Sequence, residues 1–205
     1  MKKLQGLYVI ADAACLSGDE IISKTEEVLL AGVKIIQYRD KVNSISKQNK
    51  IAKQLRELTL QHESTFIVND HIEVALSCNA NGVHLGNDDA SISQARNQLG
   101  DDKIIGASCY ANFENVEPAL QDSADYIAFG SFFPSPTKPN APRASIELLK
   151  RTKKEFSTSI CAIGGITADN AHQLIDAGAD MIAVISSVFS ASSPTQAVQE
   201  YLSLM

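Results

Sequence analysis

The sequence predicts a single α/β domain folded as a closed (β/α)8 TIM barrel, and three observations support this. Short apolar runs alternate with longer amphipathic segments, which is typical of βα units around a parallel sheet. Eight such runs occur within 205 residues, a length that suits one domain with few insertions. Glycine follows some of the amphipathic segments where a helix would end. We therefore expect residues 1–205 to form one barrel domain.

The alternating pattern places each element along the chain. The apolar runs predict strands at residues 7–12, 35–40, 66–70, 82–87, 104–109, 126–131, 161–166 and 181–188. Apolar residues at three-to-four spacing predict helices over residues 20–31, 46–61, 112–121, 145–156 and 169–177. Asn112 and Asp169 are expected as helix N-caps, and Gly32 and Gly178 as the residues that end helices in a left-handed conformation.

Composition excludes several classes of function. A net charge of −6 argues against a nucleic-acid partner, because that affinity depends mainly on Lys and Arg contacts with phosphates. No apolar run approaches the roughly 20 residues of a membrane span, and the four cysteines form no metal or disulfide pattern. We expect a cytoplasmic protein without a membrane partner. The composition is compatible with a monomer or a homo-oligomer.

Polar residues gather at the predicted strand ends, which in this fold carry the chemistry. Gln37, Arg39 and Lys41 alternate along the end of the second strand, so their side chains share one face and can converge on a phosphate. A solvated strand end is the alternative. Tyr38 and Asp40 are expected to face the other way, to pack or to pair, but we assign the whole segment 37–41 to the substrate site.

Two carboxylates, Asp70 and Asp89, follow the third and fourth strands. Their placement suits a hard cation with few protein ligands. Two surface loop aspartates, which are common, are the alternative. His84 lies inside the fourth strand and is expected to be a hydrogen-bonded core residue rather than a base. Cys109 has no identifiable base and is expected to fill the core.

A phosphate site is predicted at the seventh and eighth strands. The pair Gly164-Gly165 follows one strand, and Ile185 and Ser186 lie near the end of the next, where many barrels bind phosphate through backbone N–H groups. A glycine pair needed only for a tight turn is the alternative. Residues 132–144, with prolines at 134, 136, 139 and 142, are predicted to form an active-site lid.

These residues resemble the thiamine phosphate synthase family over nearly the whole chain. The elements Gln-x-Arg-x-Lys, Asn-Asp, Gly-Val-His-Leu-Gly, Gly-x-Ser, Pro-x-x-Thr-Lys and Ala-Ile-Gly-Gly-Ile occur in the family order. The resemblance implies a transferase that joins an aminopyrimidine pyrophosphate to a thiazole phosphate through a carbocation, with Mg2+ as cofactor.

The resemblance also implies residue roles. The pyrimidine pyrophosphate would be held by Gln37, Arg39, Lys41, Asn69, Ser108 and Lys138, of which Arg39, Lys41, Ser108 and Lys138 form the expected catalytic set. Mg2+ would be held by Asp70 and Asp89. The thiazole phosphate would be surrounded by Ser135, Pro136, Thr137, Gly165, Ile185 and Ser186.

The chain departs from the expected family pattern at Asn87, Ser131, Ser135 and Tyr110. Two rival functions share the barrel: a thiazole tautomerase, which needs neither pyrophosphate nor metal, and a non-catalytic barrel that binds a phosphate ligand. Retention of the charged residues of the pyrophosphate half favours the synthase over both.

Overall fold

Eight parallel strands close into a barrel within residues 4–134 and 142–205, which are the residues that this computed structural model describes. Each strand pairs with the next one along the chain, and the last pairs with the first. The predicted fold class is therefore confirmed. The strands are β1 (Gly6–Asp12), β2 (Ile35–Arg39), β3 (Thr65–Asn69), β4 (Gly82–Leu85), β5 (Ile104–Tyr110), β6 (Tyr126–Phe129), β7 (Ser159–Ile163) and β8 (Met181–Val184).

Helices follow the strands along the chain, and a short 3-10 helix at Phe113–Asn115 precedes the fifth of them. Within the described residues, no helix is both long and apolar enough to span a membrane. The helices are α1 (Gly18–Leu30), α2 (Ile45–Gln61), α3 (Ile72–Ser77), α4 (Ile92–Leu99), α5 (Val116–Gln121), α6 (Ile146–Glu155), α7 (Ala168–Asp176), α8 (Ser186–Phe189) and α9 (Pro194–Leu202).

Strand alternation divides the core into two clusters. In β1, Tyr8 and Ile10 belong to a small cluster that also takes in Met181 of β8 and Tyr126 of β6. The intervening residues of β1 join a larger cluster that includes apolar residues of the helices. Because strands buried on both faces need apolar residues on both, they read as continuous apolar runs. That is why the strands were visible in the sequence.

The eighth strand is shorter than predicted. It ends at Val184, and residues 186–188, expected as its continuation, lie in helix α8 (Ser186–Phe189). Val188 and Phe189 are buried, so the run remains apolar after it becomes helical. Periodicity cannot distinguish a short buried strand from a short buried helix, which is why the prediction was wrong there. Helices α3, α4 and α9 were not predicted.

The helix ends agree with the predicted caps at three of four positions. Gly32 and Gly178 adopt φ values of 108° and 103°, in the left-handed region that favours glycine. The Asn112 side chain accepts a hydrogen bond from the Glu114 N–H and caps the 3-10 helix. Asp169 is not an N-cap, because α7 begins earlier and its N-cap is Thr167.

The same set of hydrogen bonds occurs three times at the end of the barrel where the strands begin. The residue before β4, β6 and β8 accepts a hydrogen bond from a backbone N–H of the preceding strand and also contacts a basic side chain of α2, α4 or α6. The acceptors are Asn81, Asp125 and Asp180, their backbone donors are Phe66, Ile105 and Ile160, and their basic partners are Arg56, Arg96 and Lys153. Residues at this end of a barrel serve stability rather than catalysis.

Replacing Asp125 with alanine should therefore lower the free energy of unfolding by about 2–3 kcal/mol, because the Ile105 N–H and Arg96 lose a largely buried partner. Urea denaturation would measure the loss. Glu155→Ala is the control, since its pair with Arg151 is exposed and should contribute less than about 1 kcal/mol. Equal losses in the two variants would contradict the role of Asp125.

Candidate active site

A pocket of about 590 Å³ opens where the strands end, and all eight strands or the segments after them contribute to its lining. A cavity of this size is typical of sites for small molecules. Seven residues predicted to bind substrate lie in its wall. They are Gln37, Arg39, Asn69, Ser108, Gly165, Ile185 and Ser186.

One side of the pocket carries the alternating side chains of β2. Gln37 and Arg39 both line it, as their shared strand face predicts. The Arg39 guanidinium is anchored by Asp12, whose carboxylate accepts a hydrogen bond from Nη1 at 2.6 Å and is almost fully buried. Asp12 also accepts the Ala14 N–H at 2.9 Å. The guanidinium is thus held in place, and Asp12 is a site residue that the sequence analysis missed.

Tyr38 and Asp40 point away from this wall, as the alternation predicts. The buried Tyr38 hydroxyl donates to Asp40 Oδ2 at 2.5 Å, and Asp40 also accepts hydrogen bonds from Val42 and Asn43. Burial alone would raise the pKa of Asp40, but the hydrogen bonds from Tyr38, Asn43 and Val42 lower it below its usual value. Neither side chain is in the pocket lining, and the contacts give both a role in shaping the turn after β2.

The two predicted metal ligands lie close together beside the pocket. Asp70 adopts a left-handed backbone with φ of 62°, unusual for a residue other than glycine, and its N–H donates to the His84 carbonyl. Lys41 contacts the Asp70 carboxylate at 2.9 Å, and Asp89 accepts the Gly86 N–H at 2.7 Å. Strained residues of this kind cluster at functional sites.

Charge repulsion distinguishes this acid pair from an ordinary surface pair. Burial and then the neighbouring Asp70 carboxylate raise the pKa of Asp89, while the Gly86 N–H and Lys41 oppose the shift. Two close carboxylates without enough positive charge between them favour a proton or a metal ion. Among the described residues, no cluster of three or more His, Cys, Asp or Glu side chains is placed to hold a metal. A cation here would take oxygens of phosphate or water to complete its coordination.

The floor of the pocket holds a group of polar side chains of which only Ser108 was assigned to a substrate in the sequence analysis. Tyr8, Tyr126, His84 and Ser108 are joined by hydrogen bonds, and His84 lies between Tyr126 and Ser108. His84 is hydrogen-bonded as expected, but it is half-buried and lines the pocket. The alternation of side chains in β4, together with the glycine in the neighbouring strand β5, could have indicated that His84 faces the pocket.

The opposite side of the pocket is a tight backbone turn after β7. Gly164 and Gly165 have φ values of 104° and 67°, and a Cβ on Gly165 would lie 2.3 Å from the Pro134 carbonyl oxygen. Ile185, Ser186 and Ser187 line the same side at the start of α8. Close approach of backbone to ligand is what glycine allows, so this side suits a phosphate group.

The first end of the predicted lid is attached to this turn, and its second end is attached to the first. Phe132 and Phe133 donate their N–H groups to the carbonyls of Ile163 and Gly164, and the Ser131 carbonyl accepts the Ala144 N–H. Pro134 and Pro142 lie in the pocket wall. The lid between them remains a prediction. Four of its predicted site residues, Ser135, Pro136, Thr137 and Lys138, lie outside the described residues.

The two residues that follow Ser108, Cys109 and Tyr110, have structural roles. Cys109 is fully buried, and burial raises the pKa of its thiol to about 12, which makes it an unreactive core residue. Tyr110 adopts φ of 54°, and its hydroxyl accepts the Asn87 N–H at 3.1 Å. Tyr110 therefore supports the loop that carries Asp89.

Comparison with known proteins agrees with this geometry. A family model described as thiamine monophosphate synthase matches residues 7–188. The thiamine-phosphate synthase of Thiobacillus denitrificans is 45% identical over 182 residues, covering 89% of this chain and 86% of that protein. That of Azoarcus sp. is 43% identical over 203 residues, covering 99% and 98%.

A solved structure is also similar. The thiamine phosphate pyrophosphorylase from Pyrococcus furiosus has a TM-score of 0.87 and 34% identity, with 98% of this chain and 95% of that chain covered. Sequence and structure thus agree over nearly the whole length, and the chain belongs to the thiamine monophosphate synthase family.

Proposed function

We propose that this chain performs the family's reaction in the described pocket, joining a pyrimidine pyrophosphate to a thiazole phosphate and releasing pyrophosphate. The observation that carries the assignment of sites is the division of the pocket. Arg39 supplies positive charge on one side, and the Gly165 turn with the start of α8 forms the other. Lys41 follows the end of β2, contacts Asp70 and is not among the lining residues. Two anionic substrates can therefore bind with their reacting carbon and nitrogen atoms between these sides.

We infer that the Asp70 and Asp89 carboxylates hold Mg2+. The supporting observation is their proximity: burial and the neighbouring Asp70 carboxylate raise the pKa of Asp89. A hard divalent cation would offset both effects and would accept oxygen ligands from the pyrophosphate. Mg2+ bound there would supply positive charge to the departing pyrophosphate. Lys41, which contacts Asp70, would add a mobile charge at the same place.

The chain's own residues would assist the bond changes as follows. The bond between the pyrimidine methylene carbon and the pyrophosphate oxygen breaks, and its electron pair leaves with the pyrophosphate. Arg39, held by Asp12, and Lys41 stabilise the negative charge that develops there. The lone pair of the thiazole nitrogen then forms the new C–N bond, so no protein nucleophile is needed. Apolar wall residues such as Ile10, Ala128 and Ile163 reduce the access of water to the cation.

The decisive experiment mixes the purified protein with both substrates and Mg2+ and measures thiamine phosphate and pyrophosphate together. Equimolar formation of the two products is the expected result. Conversion of a thiazole carboxylate tautomer without pyrophosphate release would identify the tautomerase instead. Ligand binding without turnover would identify a non-catalytic barrel. Lys138, which the family resemblance places on the pyrophosphate, can be tested in the same assay.

Replacing Asp89 with asparagine should weaken Mg2+ binding while nearly preserving side-chain volume. The rate at limiting Mg2+ should fall by about 10²-fold, the typical cost of losing one preorganised electrostatic interaction. Mg2+ should also raise the melting temperature of the wild-type protein, because a ligand that binds the native state stabilises it. This increase should shrink in the variant. Without Mg2+ the variant should be no less stable, since the carboxylate with the raised pKa destabilises the native state when ionised.

Asp88→Asn provides the matched control, because Asp88 is exposed and one residue away from Asp89. It should retain the wild-type rate and the wild-type response of the melting temperature to Mg2+. An Asp89→Asn variant that behaves like the control would overturn the metal assignment.

Replacing Gly165 with alanine should raise the KM for thiazole phosphate at least about tenfold, with a smaller effect on the pyrimidine pyrophosphate. The new Cβ would contact backbone of Phe133 and Pro134 and would displace the turn. Gly100→Ala tests for backbone strain alone, since Gly100 has φ of 82° but open space around the added Cβ. Steady-state kinetics with each substrate varied would separate the two effects. Equal loss for both substrates would argue against a phosphate site at this turn.

A further inference from the structure

A continuous chain of hydrogen bonds crosses the floor of the pocket and ends at two residues assigned to the pyrimidine substrate. Gln37 Nε2 contacts the Tyr8 hydroxyl at 2.8 Å, and Tyr8 contacts the Tyr126 hydroxyl at 2.9 Å. Tyr126 contacts His84 Nδ1 at 2.9 Å, and His84 Nε2 contacts Ser108 Oγ at 2.9 Å. Gln37 and Ser108 are thus connected through three side chains that have no assigned role.

A glycine in β5, Gly106, provides the space for these hydrogen-bonded side chains. Gly106 lies between His84 and Tyr126 in the strand register, paired with one on each side. A Cβ on Gly106 would lie 2.1 Å from the Tyr126 ring, so only glycine lets the two side chains meet across β5. The His84 and Tyr126 rings stack with centroids 5.5 Å apart, and Tyr8 meets Tyr126 edge-on at 6.1 Å. The contacts are therefore part of the packing of the barrel.

With the Gln37 amide nitrogen facing Tyr8, the donors and acceptors allow one fully satisfied order. The Gln37 amide donates to the Tyr8 oxygen, so the single hydroxyl hydrogen of Tyr8 is directed to Tyr126. Tyr126 then donates to His84 Nδ1, which must accept. In a neutral imidazole whose Nδ1 accepts, the hydrogen is on Nε2, and this nitrogen donates to Ser108. The Ser108 hydroxyl hydrogen is left to point elsewhere.

The reverse order is disfavoured by burial. If His84 Nδ1 donated, Tyr126 would donate to Tyr8, and the Tyr8 hydrogen would meet the N–H of Gln37. Tyr8 is 2% exposed, and an unsatisfied buried donor carries the full cost of its lost hydration. Burial also raises the pKa of both tyrosines, so both retain the hydroxyl hydrogens that the order requires.

We propose that Tyr8, Tyr126 and His84 are positioning residues that fix the hydrogen-bonding polarity of Gln37 and Ser108 before substrate arrives. Ser108 presents a hydroxyl donor to the pocket, and Gln37 presents its carboxamide oxygen as an acceptor. The ligand chemistry that fits is an acceptor, such as an unprotonated ring nitrogen or a phosphate oxygen, near Ser108 and an N–H donor near Gln37. The identification of the pyrimidine as the ligand rests on the proposed function. The direction of the hydrogen bonds from Gln37 to Ser108 does not depend on it.

The polarity can be measured directly in the ligand-free protein. Nitrogen-15 NMR of histidine-labelled protein distinguishes the two neutral tautomers of each of the four histidines, and the spectrum of His84→Asn identifies the His84 signals. We expect His84 to carry its hydrogen on Nε2. A hydrogen on Nδ1 would overturn the proposal, whether or not the protein makes thiamine phosphate. This measurement requires no folded variant of the chain beyond the one used for assignment.

Tyr126→Phe tests the functional consequence, because it removes only the hydroxyl that links Tyr8 to His84. The fraction of His84 with its hydrogen on Nδ1 should rise. The kcat/KM for the pyrimidine pyrophosphate should fall about tenfold, the effect of about one hydrogen bond, while the KM for thiazole phosphate stays within about twofold. Tyr8→Phe, which breaks the chain one link earlier, repeats the test if Tyr126→Phe is poorly folded.

Thr25→Val is the control for loss of a buried hydroxyl, since Thr25 is fully buried in α1 and donates to the Ile21 carbonyl. It should leave kinetics and the His84 tautomer unchanged. If Tyr126→Phe loses no more kcat/KM than this control, the three residues are structural and the proposal fails. Absence of thiamine phosphate formation by the wild-type protein would instead reject the proposed function.

Discussion

Closure of the parallel sheet is the constraint on which the rest of this structure depends. Because β1 pairs with β8, no strand is left with an open edge, and every strand ends at the same rim. Gln37, Ser108 and Gly165 are far apart in the sequence, yet closure places them around one cavity. The opposite rim carries the acceptors before β4, β6 and β8, of which Asp125 is one. Stability and chemistry thus occupy different ends of the barrel.

Closure also requires polar side chains inside the barrel to find hydrogen-bond partners. Inward-facing side chains lie away from water, so each polar group needs a partner from another strand. Tyr8, Tyr126 and His84 come from three strands and satisfy one another, and Gly106 provides the space. Apolar residues of the same inner cluster, such as Met181, surround them. A polar layer under the pocket is therefore compatible with a stable core.

The charged side of the pocket is arranged before any ligand binds. Arg39 is held by the buried Asp12, so its charge needs little reorganisation to meet an anion. Asp70 and Asp89 differ from this pair because burial and the neighbouring Asp70 carboxylate raise the pKa of Asp89. Paired opposite charges stabilise the site as it stands, whereas neighbouring like charges favour a cation. These two arrangements lie side by side at the ends of β2, β3 and β4.

The fold class, the order of the strands and seven residues of the pocket wall could be predicted from the sequence, because strand alternation and strand ends are local patterns. Gln37 and Arg39 share a face for that reason. The helix at residues 186–189 and the contact between His84 and Tyr126 across Gly106 became apparent only from the packed barrel. Such features depend on neighbours distant in the chain. Local periodicity contains no information about which side chains a closed barrel brings within hydrogen-bonding distance.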